Sequence, residues 1–123
     1  MKYITTPLAA AVLSASAFFS VPASASELIV DQFGIGNVVG GGQNGIDNRL
    51  NFKQRGDGNL ATGTQSGDNN WMAVHQHGDG HVSQNDQVGD NNITAVIQAG
   101  ENCSATTDTT SSGPVNAVIQ ICR

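Results

Sequence analysis

Basic residues are scarce in this chain. Five Lys and Arg face ten Asp and Glu, for a formal charge of −5. Nucleic-acid binding needs a basic surface, so that class of partner is excluded. Aromatic residues make up 5% and charged residues 12%, too little for a conventional aromatic core or a charge-laced helical surface. Two cysteines rule out a dense disulfide framework. No Ser-His-Asp or Cys-His arrangement stands beside a pocket-forming segment, so nothing points to an enzyme. One apolar run exists, Leu8 to Val21, about 14 residues without a charge; a membrane span needs roughly 20. With Lys2 before it and Ala23-Ser24-Ala25 after it, the run has the form of a secretory leader with its cleavage signal. The sequence thus divides into a leader, 1–25, and a secreted domain, 26–123.

What remains is polar: Gly, Asn, Gln, Ser, Thr and Asp. Such a composition ordinarily means disorder, unless a strict repeat lets polar side chains satisfy one another. That repeat is present. Gln32, Gln43, Gln54, Gln65, Gln76, Gln87 and Gln98 stand at steps of eleven. Two residues after each comes Gly34, Gly45, Gly56, Gly67, Gly78, Gly89 or Gly100. Three further on come Asn37, Asn48, Asn59, Asn70, then His81, Asn92 and Cys103. A fixed short period means stacked copies of one supersecondary unit.

Eleven residues would also suit three helical turns, but a glycine in every unit beside Asn, Thr and Asp opposes helix. The segment 48–54 alternates instead: Asn48, Leu50, Phe52 and Gln54 share one face, Arg49, Asn51 and Lys53 the other. Arg55-Gly56-Asp57-Gly58 then forms a tight turn. Two units make one 22-residue rung of two facing strands. The fold class is therefore all-β, a β-solenoid of about four and a half rungs: 26–47, 48–69, 70–91, 92–113 and a half rung from 114. Bulk on one strand meets space on its partner, as with Leu50 and Phe52 against Ala61 and Gly63. Rungs stack about 4.8 Å apart, so Gln32, Gln54, Gln76, Gln98 and Gln120 form one column, Gln43, Gln65 and Gln87 a second ending at Thr109, and Asn48, Asn70 and Asn92 a third. Side-chain amides in such columns donate to one neighbour and accept from the other.

The pattern resembles the curlin repeat, S-x5-Q-x-G-x-x-N-x-A-x3-Q. Ser26, Gln32, Gly34, Asn37 and Gln43 match at that spacing with Val39 for the alanine, and Gln54, Gly56, Asn59, Ala61 and Gln65 match throughout. The eighth unit has Thr109 for Gln and Ser111 for Gly. The resemblance implies a secreted subunit that polymerises as a β-solenoid amyloid in extracellular, biofilm-matrix fibres and adhesion. It further implies partners: copies of itself, a second curlin subunit that nucleates growth, and a dedicated outer-membrane secretion pore reached through the periplasm. It leaves open whether this chain is the main subunit or the nucleator.

Polymerisation is also expected on physical grounds. An uncapped solenoid bares backbone donors and acceptors at both ends, and no capping segment is evident at Ser26. Head-to-tail addition does not close and so grows filaments. On one outer face, Trp71, Ile93, Ile97, Val115 and Ile119 make an apolar patch suited to lateral contact between fibres. The alternative class is a monomeric secreted solenoid that binds cations or a surface.

Smaller signals sort as follows. Asp57, Asp68, Asp79 and Asp90 follow the repeat glycine; stacked like charges would favour solubility and slow assembly, with growth quickening as pH falls. A cation ladder is the other reading, but the period-nine calcium repeat does not fit. His75, His77 and His81 are close in sequence, a placement better explained by chance than by metal binding. Arg55-Gly56-Asp57 spells an adhesion tripeptide that the repeat itself dictates. No cofactor is called for. Cys103 and Cys122 can meet, because Cys122 falls 22 residues after Gly100, in the same turn region as Cys103. An intramolecular disulfide is favoured in an oxidising compartment, with free thiols or a link between subunits as alternatives.

Overall fold

The computed structural model describes residues 16–20 and 26–123. Lys2, most of the apolar run and the Ala23-Ser24-Ala25 signal lie outside the described residues. Among those described, every regular element is a strand. They run β1 (Ser16–Ser20), β2 (Glu27–Phe33), β3 (Val38–Asn44), β4 (Arg49–Arg55), β5 (Leu60–Ser66), β6 (Trp71–Asp79), β7 (Val82–Val88), β8 (Ile93–Glu101), β9 (Ser104–Thr109) and β10 (Val115–Ile121). Odd and even strands separate into two parallel sheets, ordered β1-β3-β5-β7-β9 and β10-β8-β6-β4-β2. This is the β-solenoid that the spacing foretold. Each strand pairs with the one 22 residues on, as Leu50↔Met72 and Gln54↔Gln76 do.

Alternation along each strand builds the interior. In β4, Leu50, Phe52 and Gln54 are buried while Arg49 and Arg55 are exposed. Val39, Leu50, Phe52, Ala61, Met72, Val74, Val96 and Ala105 form one thin apolar core between the sheets. A Cβ on Gly63 would stand 2.6 Å from Met72 Sδ and 2.9 Å from Phe52 Cζ. The glycine is therefore the space into which β4 and β6 project their bulk, and packing at native density admits nothing larger.

One element departs from expectation. Val38–Asn44 is not left bare: β1 pairs with it in parallel, Ser16 opposite Val38 through Ser20 opposite Gly42. The 22-residue offset continues back into the segment read as a leader. An unpaired edge offers a row of backbone groups to any extended apolar stretch within reach, and the preceding residues supply one. The stack is thus stepped at both ends. β10 extends past β9 at one end, and β1 extends past β2 at the other.

Candidate functional site

Two repeat glycines, Gly56 and Gly78, line an open surface hollow with Asp31, Phe33, Arg55 and His77, but the main work of the residues that repeat lies elsewhere. They build three kinds of ladder, of glutamine, asparagine and aspartate, that end at the faces of the stack. Gln32 Nε2 donates to Gln54 Oε1 at 2.7 Å, Gln54 to Gln76 at 2.8 Å, Gln76 to Gln98 at 2.9 Å and Gln98 to Gln120 at 3.1 Å. The second column runs from Gln43 to Gln65 at 3.0 Å and on to Gln87 at 2.7 Å. Gln87 then turns to Thr94 Oγ1 at 2.8 Å rather than to Thr109. The other amide hydrogen crosses the rung: Gln54 Nε2 also reaches Val38 O, and Gln76 Nε2 reaches Leu60 O. One side chain therefore ties layer to layer and sheet to sheet. Every column bond points the same way, from the lower-numbered rung to the next. The acceptors of the first rung are left over: Gln43 Oε1 is buried without a partner.

The asparagines act differently from the expected amide-to-amide column. Asn59 Oδ1 accepts the His81 backbone N–H at 2.9 Å, and its Nδ2 donates to Gly78 O at 2.8 Å. Asn37, Asn48 and Asn70 do the same, reaching the residue 22 ahead for one bond and the glycine carbonyl 19 ahead for the other. Each asparagine clasps backbone on the following rung, because a short carboxamide at the turn meets main chain before it meets another amide. Asn92 is the exception: both its amide atoms are buried and unpaired. The residue 22 ahead is Pro114, which has no N–H to give.

His81 occupies an asparagine position and imitates one. Its ring is fully buried, Nδ1 accepts the Cys103 N–H at 3.1 Å, and Nε2 lies 3.2 Å from His77 O. These roles require the tautomer protonated at Nε2. His75 and His77 face outward and are exposed, so the three histidines do not converge. Among the described residues no group of three or more His, Cys, Asp or Glu side chains could hold a metal ion.

The aspartates are turn ladders rather than free charges. Asp57 Oδ1 accepts from Ile35 N, Asp79 Oδ1 from Asp57 N, Asp68 Oδ1 from Ile46 N and Asp90 Oδ1 from Asp68 N, each at 2.8 Å. The expected effect of these carboxylates, mutual repulsion that slows stacking, is opposed by this bonding, since a charge-assisted bond is stronger than a neutral one. The same contacts place Arg55-Gly56-Asp57 within the stack, with Gly56 carrying φ 115° and no room for a side chain: a Cβ would fall 2.1 Å from Gly78 O.

The disulfide joins Cys103 to Cys122, 19 residues apart with Cα atoms 5.6 Å apart. Cys103 stands in the column of Asn37, Asn59 and His81. The covalent bond therefore spans the same 19 residues as the clasp from asparagine to glycine carbonyl.

A second left-handed position in every turn escaped the reading of the repeat. Gly36, Asp47, Gly58, Asn69, Gly80, Asn91, Asn102 and Gly113 all have φ between 54° and 87°. The signal was available, because the residue four after each repeat position is always Gly, Asn or Asp, the types that tolerate this conformation.

On the outer face of β2, β4, β6, β8 and β10 the expected contact residues lie together. Trp71, Ile93 and Val115 form one column and His75, Ile97 and Ile119 another. Val115 and Ile119 are each 71% exposed. Over the first two rungs the same columns carry ion pairs, Arg49 to Glu27 at 2.5 Å and Lys53 to Asp31 at 3.8 Å.

Comparison with known proteins places one segment. Residues 47–78, one and a half rungs, match the family model of the curlin associated repeat. No curated protein and no solved structure matches the chain.

Proposed function

Taking the match at residues 47–78 as that of a curlin-family protein, we propose that this chain is a curli-type amyloid subunit whose activity is its own head-to-tail polymerisation into extracellular fibres. One observation carries the reading: the ladders have a direction and stop without closing. Gln32 offers Oε1 at one end and Gln120 offers Nε2 at the other, in the same column. A second copy placed with β2 against β10 continues that column. The same placement buries Val30 and Leu28, solvent-facing or half-buried at the first rung, against Val118 and Asn116 at the last. A copy added in the reverse sense sets donor against donor.

Leader removal takes β1 from Val38–Asn44, and with β2 of one copy on β10 of another it leaves a slot one strand wide between β9 and β3 of the neighbouring copies. The resemblance to the curlin repeat supplies the partners we propose: further copies of the chain, a second curlin that templates the first rung, and an outer-membrane pore of the curli type.

The experiment is incubation of purified 26–123, followed by electron microscopy and fibre diffraction. Unbranched fibres with a meridional reflection at about 4.7–4.8 Å are expected. A chain that stays monomeric at high concentration over days contradicts the reading and returns the solenoid to the class of monomeric binding modules.

A further inference from the structure

The outer face of the β2–β10 sheet has relief as well as apolarity. Ala73, Ala95 and Ala117 stack in one column. They run between the Trp71 column and the Ile97 column, so two ridges flank a groove floored by methyl groups. Ile97 is 44% exposed, while Ala95 is half-buried at the bottom of the groove. The patch spans three rungs, about 14 Å, by about 20 Å along the strands. That is roughly 300 Å², well below the ~800 Å² per partner of a stable pair. A single copy is too small to dimerise through it. A filament repeats the patch at every subunit, and the contacts act together.

Two such faces can meet in two simple ways. A two-fold axis along the strands sets ridge on ridge and groove on groove, and leaves voids. A two-fold axis parallel to the stack reverses the strands across the contact, so each ridge enters the opposing groove and both filaments keep the same polarity. We propose that filaments pair in this second way, with Ile97 and Ile119 of each seated over Ala95 and Ala117 of the other. The operation also places Trp71 against His77 and Val115 against Ile121. In the second rung it brings Arg49 opposite Arg55, so attraction is confined to rungs three to five. The proposal rests on the polymerisation reading and adds to it a register and a polarity.

The test measures mass per length by scanning transmission microscopy, with thioflavin fluorescence as a separate readout of fibre formation. Wild-type fibres should show twice the mass per length of one filament. Ala95→Lys and Ile97→Glu should each polymerise normally yet halve that value. Preformed Ala95→Lys filaments mixed with preformed Ile97→Glu filaments should recover the doubled value, because position 95 of one faces position 97 of the other. Single wild-type filaments, doubled variants, or a mixture that stays single would each overturn the proposal. Failure of all chains to fibrillise would instead overturn the polymerisation reading, and this pairing with it.

Discussion

The middle rungs and the last half rung of this solenoid are fastened differently. Between the first and third rungs each turn is held by an asparagine that clasps a backbone N–H and a glycine carbonyl on the next layer. At the step to β10 that device fails, because Pro114 stands where the N–H should be and Asn92 keeps two buried, unpaired amide atoms. On the neighbouring turn a disulfide spans the same 19 residues as the clasp. The difference teaches that a stack tolerates a faulty layer only where another fastening holds it. Interior layers are gripped from both sides. The terminal strand is gripped from one, with Val115, Ile119 and Ile121 all more than 70% exposed.

The largest expected effect breaks the middle. Gly56→Ala drives a methyl group to 2.1 Å from Gly78 O at φ 115°. The substitution should cost about 3 kcal/mol or more, seen as a collapse of the denaturation midpoint and of fibre yield. Gly58→Asn, two residues on in the same turn, should cost less than about 1 kcal/mol, since φ there is 66° and no atom lies within 4 Å.

Next comes the covalent fastening. Cys103→Ser with Cys122→Ser should lower stability by about 3 kcal/mol on the loop-entropy estimate. Hydrogen exchange should quicken in 115–121 and leave 49–55 and 71–79 protected. Equal loss of protection in all rungs would mean that the stack melts as one unit and that the two regions do not differ.

The smallest effect sharpens the comparison by repair. Pro114→Ala returns a donor to Asn92 Oδ1 and should raise stability by about 1 kcal/mol. The gain is reduced by the freedom the unfolded chain acquires when proline is lost. It should be larger in the cysteine-free background, where Asn92 no longer shares the task.

Much of this architecture could be read from residue spacing. Period, rung length, strand faces and the bulky-against-small core all follow from alternation and from the glycines, because a parallel stack places equivalent positions above one another. The roles of the polar side chains could not be read so directly. The sequence says that asparagines align; it does not say that a short side chain at a turn meets main chain before its own kind. Asp57 and Asp79 looked like repelling charges because only their alignment was visible, and not the N–H groups that they accept. His81 looked like a break in the column until its two ring nitrogens took over the acceptor and donor roles of a carboxamide. β1 was hidden because its segment has none of the repeat residues; its pairing depends on an available edge, not on a motif.

The central claim is that the ladders continue from one molecule into the next in a single sense. It is tested most directly by cross-linking across the joint. With the native disulfide intact, one chain carries Ile29→Cys and another Ala117→Cys. These outward positions oppose each other when β2 of one copy lies on β10 of another in the register seen within the chain. Fibres grown from the mixture and treated with a short thiol cross-linker should give a covalent dimer, absent from fibres of either variant alone. Dimers in the fibres of Ile29→Cys alone, with none in the mixture beyond that level, would mean head-to-head stacking and contradict the account.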